Sequence, residues 1–373
     1  MSDPDKPIAW FGPHLTGREL ERLRDVLESQ YVNDGPLAGI FESRIAALVG
    51  TRYAVAVTSG TAAISLALMA AGVGPGDEVL VPDLTFAATA NAVRFAGAEV
   101  KLVDVEPDRF GIDPDGVVAA IGPRTRAVVA VDVNGRGADY TRLEPICSDA
   151  GLVLICDSAE GLGSRYRGRM LGSFGLAGCF SFSANKTITA GQGGIVTTDS
   201  EALHDRLREL KDQGRRHGGT GGNDLHPVIG FNFKFTDLQA AIALPQLDEI
   251  EERIAAAQRR DIAYAKRLAN QPGLTLPPFD EPGEVRQWTD VLIDNRSVVS
   301  AVLDAQKIGH RAFWFPLHHQ VPFAADASRF PVSTDISRRG TWLASRFDIS
   351  EHEMERVCSM VVAALRRQPS LIS

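Results

Sequence analysis

Residues Phe180 to Gly194 read FSFSANKTITAGQGG. An apolar alternating run of strand character ends in a turn of Ser, Asn and Thr. That turn carries one lysine, Lys186, and a glycine cluster closes it. A lysine at this place fits two readings. It is a solvated loop residue, or it is an amine held away from bulk water, where a lowered pKa makes lysine a nucleophile toward a carbonyl. Loops at strand ends carry function more often than the elements they join.

Upstream, LVLICDSAEG (152–161) is a buried-type strand that ends on Asp157, with Glu160 three residues on. Such a carboxylate is a helix cap, or it is buried and needs a cationic partner. Further upstream, TSGTAAI (58–64) joins a strand to an Ala/Leu helix through Ser59-Gly60-Thr61. Unsatisfied N–H groups and the helix dipole make such a start an anion site, although a plain Ser or Thr cap gives the same pattern. No GxxxxGK[ST] loop occurs. Together, an anion cradle, a strand-end carboxylate and a strand-end lysine are the parts a pyridoxal phosphate site requires: a phosphate seat, a partner for the pyridine nitrogen and a Schiff-base amine.

Around these segments strands alternate with helical patterns: YAVAV, DEVLVP, EVKLVDV, AVVAVDV, LVLICD, CFSFS and GGIVTTD. The alternation predicts an α/β fold with a mostly parallel sheet and ligands beyond the carboxyl ends of the strands. An N-terminal arm and a helix over 20–27 precede it. After Asp237 one long helical pattern runs to about Gln271, with Pro245 as its expected kink. A strand (RQWTDVLID), a helix over 298–306 and a closing helix over 350–367 follow. The expected division is 1–245, a large cofactor-binding domain with its arm, and 246–373, a small C-terminal domain. GRRHGGTGGND (214–224) is expected to be a mobile loop, and its Arg215 and Arg216 fit either a nucleotide diphosphate contact or a solvated loop.

The 373 residues carry a net charge of −8, which argues against nucleic acid or an anionic membrane as the main partner. The start shows no leader pattern and no apolar run is long enough to span a bilayer, so a cytoplasmic protein is expected. The four cysteines, Cys147, Cys156, Cys179 and Cys358, form no CxxC pair and read as reduced thiols, with Cys156 and Cys179 in the core. The adjacent His318 and His319 suit no metal, because neighbours on a strand or helix rarely chelate one ion.

Six long stretches resemble, in order, the DegT/StrS class of sugar aminotransferases: FESRIAALVGTRYAVAVTSGTAAISLAL, VGPGDEVLVPDLTFAATANAV, PRTRAVVAVDVNG, ICDSAEGLGSRYRGRMLGSFG, FSFSANKTITAGQGGIVTTD and IGFNFKFTDLQAAIALPQL. The resemblance implies an aspartate-aminotransferase-like (fold type I) α/β architecture, mostly parallel in its central sheet, with a smaller α+β C-terminal domain. It also implies pyridoxal 5'-phosphate as cofactor. Lys186 then carries the cofactor and shuttles the proton, Asp157 pairs with the ring nitrogen, Glu160 stands beside the ring and Phe86 stacks on it. Gly60, Thr61 and Ala62, through their backbone, and the Ser181 hydroxyl hold the phosphate. Asn232 reaches the phosphate in the neighbouring subunit, implying a homodimer with shared active sites. His318 lies where the C-terminal domain approaches the sugar.

Within the class, NKTIT, the stretch ending LHPVIGFNFKFTDLQAA, and RAFWFPLH resemble the branch that aminates C4 of a GDP-4-keto-6-deoxymannose. L-glutamate is then the donor and a keto sugar nucleotide the acceptor, in amino sugar biosynthesis for polysaccharide or O-antigen. C3 amination, a cyclitol or other keto-sugar acceptor, and a non-catalytic cofactor-binding regulatory protein remain as alternatives. The dehydratase branch of the class has histidine at the position of Lys186. The chain departs from the class at Gln192 (usually Glu), at Asp132 and Asn134 (usually His and an aromatic), at Lys234 (usually Arg) and at Leu343-Ala344-Ser345 (usually L-P-S). The first three departures are expected near the substrate.

Overall fold

The computed structural model describes residues 6–215, 225–278 and 282–367. Its first layer is a seven-stranded sheet. β1 (Tyr53–Val57), β2 (Glu78–Pro82), β3 (Glu99–Val103), β4 (Thr125–Val131) and β5 (Val153–Asp157) come first. A short hairpin of β6 (Arg165–Tyr166) and β7 (Arg169–Met170) follows, and then β8 (Ala177–Ser181) and β9 (Gly194–Thr198). The sheet order is β1-β9-β8-β5-β4-β2-β3. The run from β8 to β3 is parallel, and β9 lies antiparallel between β1 and β8.

Helices cover both faces, so successive strand residues are buried on opposite sides and the strands read as continuous apolar runs. One face, with Val55, Val79, Val129 and Ile155, packs on α3 (Gly60–Ala70), α4 (Ala87–Phe95) and α7 (Glu201–Lys211). On the other face, Ala56 and Ile195 pack on α2 (Pro36–Val49) and α8 (Asp237–Asp248). There too, Leu80, Val128 and Leu154 pack on α5 (Pro114–Ala120) and α6 (Tyr140–Asp149). Before them, α1 (Glu19–Ser29) extends slightly beyond the helix expected over 20–27.

The long helical pattern after Asp237 is two helices, α8 and α9 (Ile250–Leu268), parted at Glu249 (φ −102°, ψ 15°). Pro245 lies inside α8 and is not the break point. The bond it cannot make is the one to the Ala241 carbonyl, a turn before the end, and the helix closes through the Glu249 N–H donating to the Gln246 carbonyl at 3.2 Å. A second, antiparallel sheet follows in the order β10 (Leu274–Thr275), β11 (Asp290–Ile293), β13 (Gly340–Trp342) and β12 (Arg311–Ala312). It packs with α9, α10 (Arg296–Ala305) and α12 (Glu351–Leu365) around Val291, Leu303 and Val357. α11 (Pro331–Arg339) sits on the side facing the large sheet, beside Trp342 and Phe313.

Buried polar bonds tie the two sheets together. Asn134, after β4, has a left-handed backbone (φ 56°) and clasps Trp288 on both sides: its amide donates to the Trp288 carbonyl at 2.6 Å, and its oxygen accepts from the Trp288 N–H at 2.8 Å. Arg136 pairs with Asp290 at 2.8 Å, both buried. All four cysteines are free and buried. Among the described residues no helix is long and apolar enough to cross a membrane.

Candidate active site

The carboxyl ends of β4, β5 and β8 open on a cavity of about 430 Å³. Its wall includes Gly60, Thr61, Asp157, Glu160, Ser181 and Lys186, six of the residues singled out in the sequence, and Phe86 is on it too.

Lys186 sits in the turn after β8, one-eighth exposed, with Nζ 3.3 Å from Glu160 Oε1. Trp288 from the small-sheet side lies under the amine, its ring centre 5.4 Å from Nζ. The turn is braced from behind. Gln246 of α8 bonds both the N–H and the carbonyl of Thr189, at 3.0 and 2.8 Å, and Arg253 of α9 donates to the Thr187 carbonyl at 3.1 Å. A lysine on a rigid, buried backbone loses little entropy when it is positioned for reaction.

The glycines close the turn for a steric reason. A Cβ on Gly194 would fall 2.3 Å from the Ser59 carbonyl oxygen, and one on Gly60 would fall 2.9 Å from Ser181 Cβ. Only glycine lets β9 pass against the start of α3. That start is capped by Ser59, whose Oγ accepts from the Ala62 N–H at 3.1 Å. The Ala62 N–H, expected among the phosphate donors, is therefore engaged. The N–H groups of Gly60 and Thr61 have no acceptor among the described residues and lie beside the Ser181 hydroxyl. A dianionic phosphate fits this corner.

Asp157 is buried at the end of β5. Burial pushes its carboxyl above the usual range. The Thr89 hydroxyl at 2.7 Å, the Ala159 N–H at 3.2 Å and the Lys186 charge oppose that rise. No cation touches it among the described residues, so a protonated ring nitrogen suits it. Glu160 is likewise pushed up by burial and held down by Lys186 and by the Asn134 N–H at 2.9 Å. A phosphate corner, a desolvated carboxylate and an amine in one enclosed space fit a pyridoxal phosphate molecule.

Other expected residues stand elsewhere. His318 is not on the cavity wall. It is buried, its Nδ1 2.6 Å from Asp83 Oδ2, its N–H donating to Asp83 Oδ1 at 2.8 Å, and its ring stacked on Phe330. Asp83 directly follows β2, is buried and requires partners, which His318 and the Ser333 hydroxyl supply. Asn232 is exposed, accepts from Lys234 at 3.0 Å and does not line this cavity. Lys234 also pairs with Asp212 at 2.8 Å. Arg215 lies near Asp212, off the cavity wall, and Arg216, with most of the 214–224 segment, lies outside the described residues. Of the departures from the class, Gln192 is on the cavity wall. Asp132 is on it but fully buried, accepting from Tyr140 at 2.6 Å and Ser158 at 2.5 Å. Asn134 is turned to the clasp described above. Ser345 is a brace, its hydroxyl accepting from the Thr289 N–H at 2.9 Å.

Thr89, Trp288, Arg311 and Trp314 were not singled out in the sequence, yet all line the cavity. Only Thr89 had a local signal: it follows Phe86 by three residues at a helix start, the spacing that shares a face.

The profile of the DegT/DnrJ/EryC1/StrS aminotransferase family matches residues 13–362. The GDP-perosamine synthase of Caulobacter vibrioides is 34% identical over 370 residues, covering 96% of this chain and 98% of that protein. The spore coat polysaccharide biosynthesis protein SpsC of Bacillus subtilis is 33% identical over 94% of this chain and 95% of its own length. Among solved structures, DesI in the presence of its TDP-sugar product superposes with a TM-score of 0.89 at 34% identity, covering 96% of this chain and 93% of that one.

Proposed function

The chain belongs to the DegT/DnrJ/EryC1/StrS aminotransferase family, and on that premise we propose that it moves an amino group from L-glutamate to C4 of a 4-keto-6-deoxyhexose carried on a nucleotide. It is a sugar aminotransferase with pyridoxal phosphate as cofactor. The likeness to a GDP-perosamine synthase supports the C4 position and a GDP-linked acceptor. The observation that carries the reading is the meeting of Lys186, Asp157 and the open start of α3 in one cavity.

The cofactor supplies an aldehyde that takes up the amino group and a ring that withdraws electrons. The chain's residues do the rest. Gly60, Thr61 and Ser181 seat the phosphate. Asp157 would hold the ring nitrogen protonated, because a buried carboxylate gains most from an adjacent cation. Phe86, on the cavity wall, would pack against the ring. Lys186 would hold the cofactor through its amine and, as a free amine, would be the general acid–base that moves the proton at the substrate carbon. Glu160, 3.3 Å away, receives and steadies the freed ammonium. The enclosing Trp288 and Trp314 keep water from that proton. A second copy completes the site with Asn232, which its own chain leaves exposed beside Lys234.

The test is a panel of keto sugar nucleotides with glutamate, read by product mass, for the wild type and Lys186→Ala. The expected result is amination of a 4-keto-6-deoxyhexose nucleotide and no turnover by the variant. Substantial turnover by Lys186→Ala would remove the lysine from the chemistry, and amination at C3 alone would correct the position.

A further inference from the structure

Among the described residues, five side chains on the cavity wall can carry charge: Asp132, Asp157, Glu160, Lys186 and Arg311. Four are engaged. Asp132 is bonded by Tyr140 and Ser158, Asp157 by Thr89 and the Ala159 N–H, and Glu160 and Lys186 face each other. Arg311 has neither an ion pair nor a hydrogen-bond acceptor among the described residues. Its guanidinium lies 5.4 Å from the Trp10 ring centre and 5.6 Å from that of Trp342. Its backbone is set by β12, where Arg311 pairs with Trp342 of β13. Aromatic faces hold a guanidinium by charge–quadrupole attraction and leave its N–H donors free. The result is an oriented cation with open donors, on the wall that also holds the reactive amine.

We propose that Arg311 docks a carboxylate of the amino donor. The cavity must accept two unlike molecules in turn. The keto sugar is neutral around its reacting carbon, and its charges lie on the diphosphate across the ring. An amino acid carries a carboxylate one carbon from the nitrogen it gives up, and glutamate carries a second. A guanidinium fork meets a planar carboxylate with two parallel charge-assisted bonds, which fixes orientation as well as affinity. No other cation but Lys186 lines the described wall, and Lys186 is committed to the chemistry. Gln192, on the same wall, is neutral, so it neither claims the guanidinium nor repels the donor. Arg311 is therefore a donor-specificity residue of the first half of the reaction and leaves the second half untouched.

This inference rests on the aminotransferase reading with glutamate as donor, and the experiment separates the two. Holoenzymes of the wild type, Arg311→Gln and Arg311→Lys are titrated with L-glutamate while the visible cofactor absorbance is followed. Binding of glutarate, which has no amine to transfer, is measured by calorimetry. The amine form of each enzyme is then mixed with the keto sugar nucleotide acceptor. Loss of one charge-assisted pair predicts roughly 10- to 100-fold weaker glutamate and glutarate binding in Arg311→Gln. Arg311→Lys recovers part of the loss, and the acceptor half-reaction is unchanged. Glutamate and glutarate binding equal to wild type, or an acceptor half-reaction that falls as far as the donor one, would overturn the proposal. A wild-type enzyme whose absorbance ignores glutamate would overturn the underlying reading and this proposal with it.

Discussion

Replacing Thr89 by valine removes the hydroxyl that donates to Asp157 at 2.7 Å while nearly conserving shape. Burial already pushes the Asp157 carboxyl up, and Thr89 is the foremost group that opposes it. A hydrogen bond to a charged group is worth about 1.5–3 kcal/mol. Its loss leaves burial less opposed and pushes the Asp157 carboxyl further up. The carboxylate then takes a proton more readily and stops countering the ring nitrogen. The expected outcome is cofactor binding weakened by about 10- to 100-fold, read by titrating apoenzyme with pyridoxal phosphate. The sign with pH is definite. A carboxyl with a raised pKa gains its charge as pH rises, so the deficit of Thr89→Val shrinks in alkaline buffer. Thr89→Ser, which keeps the hydroxyl, binds close to wild type. Wild-type affinity in Thr89→Val, or a deficit indifferent to pH, would refute the reasoning.

Other perturbations have equally definite outcomes. Gly60→Ala drives a Cβ to 2.9 Å from that of Ser181 and should weaken cofactor binding in a folded protein. Gly194→Ala meets the Ser59 backbone at 2.3 Å and should instead lower stability, by about 1–3 kcal/mol in denaturant titration. Asn134→Ala loses the Trp288 clasp and leaves an alanine at φ 56°, a cost of about 2–4 kcal/mol, of which Asn134→Gly recovers the backbone part. Burial lifts Asp132 from 3.8 to about 7. The folded state therefore holds that proton more tightly than the unfolded one. Its stabilising contribution is full below the unfolded value and is lost as pH rises to about 7. Thermal unfolding midpoints of the apoprotein should fall across that window, and Asp132→Asn should flatten the fall.

Much of the site was legible because its parts are local. Asp157 and Lys186 each follow an apolar strand, and the Ser59 cap before a small-residue helix marks an anion seat within four residues. The parallel sheet was legible for the same reason, since each strand is a short unbroken apolar run. What escaped is what tertiary contact creates. Trp288, just before β11, and Arg311, in β12, reach the cavity across the chain from β4, β5 and β8, and no local pattern places either of them there. Gln246 and Arg253 brace the lysine turn from helices about 60 residues on. His318 was expected near the sugar, but the buried Asp83 at the end of β2 claims it. Asn134, read as a change near the substrate, is a backbone clasp whose left-handed conformation asparagine tolerates better than most residues.

The most direct measurement follows the visible absorbance of the purified holoenzyme through both half-reactions. L-glutamate alone should abolish it, with one equivalent of 2-oxoglutarate released per site. A 4-keto-6-deoxyhexose nucleotide added next should restore it, with one equivalent of the amino sugar nucleotide formed. An absorbance unmoved by glutamate, or restored without an aminated product, would contradict the assignment of Lys186 and Asp157 to sugar amination.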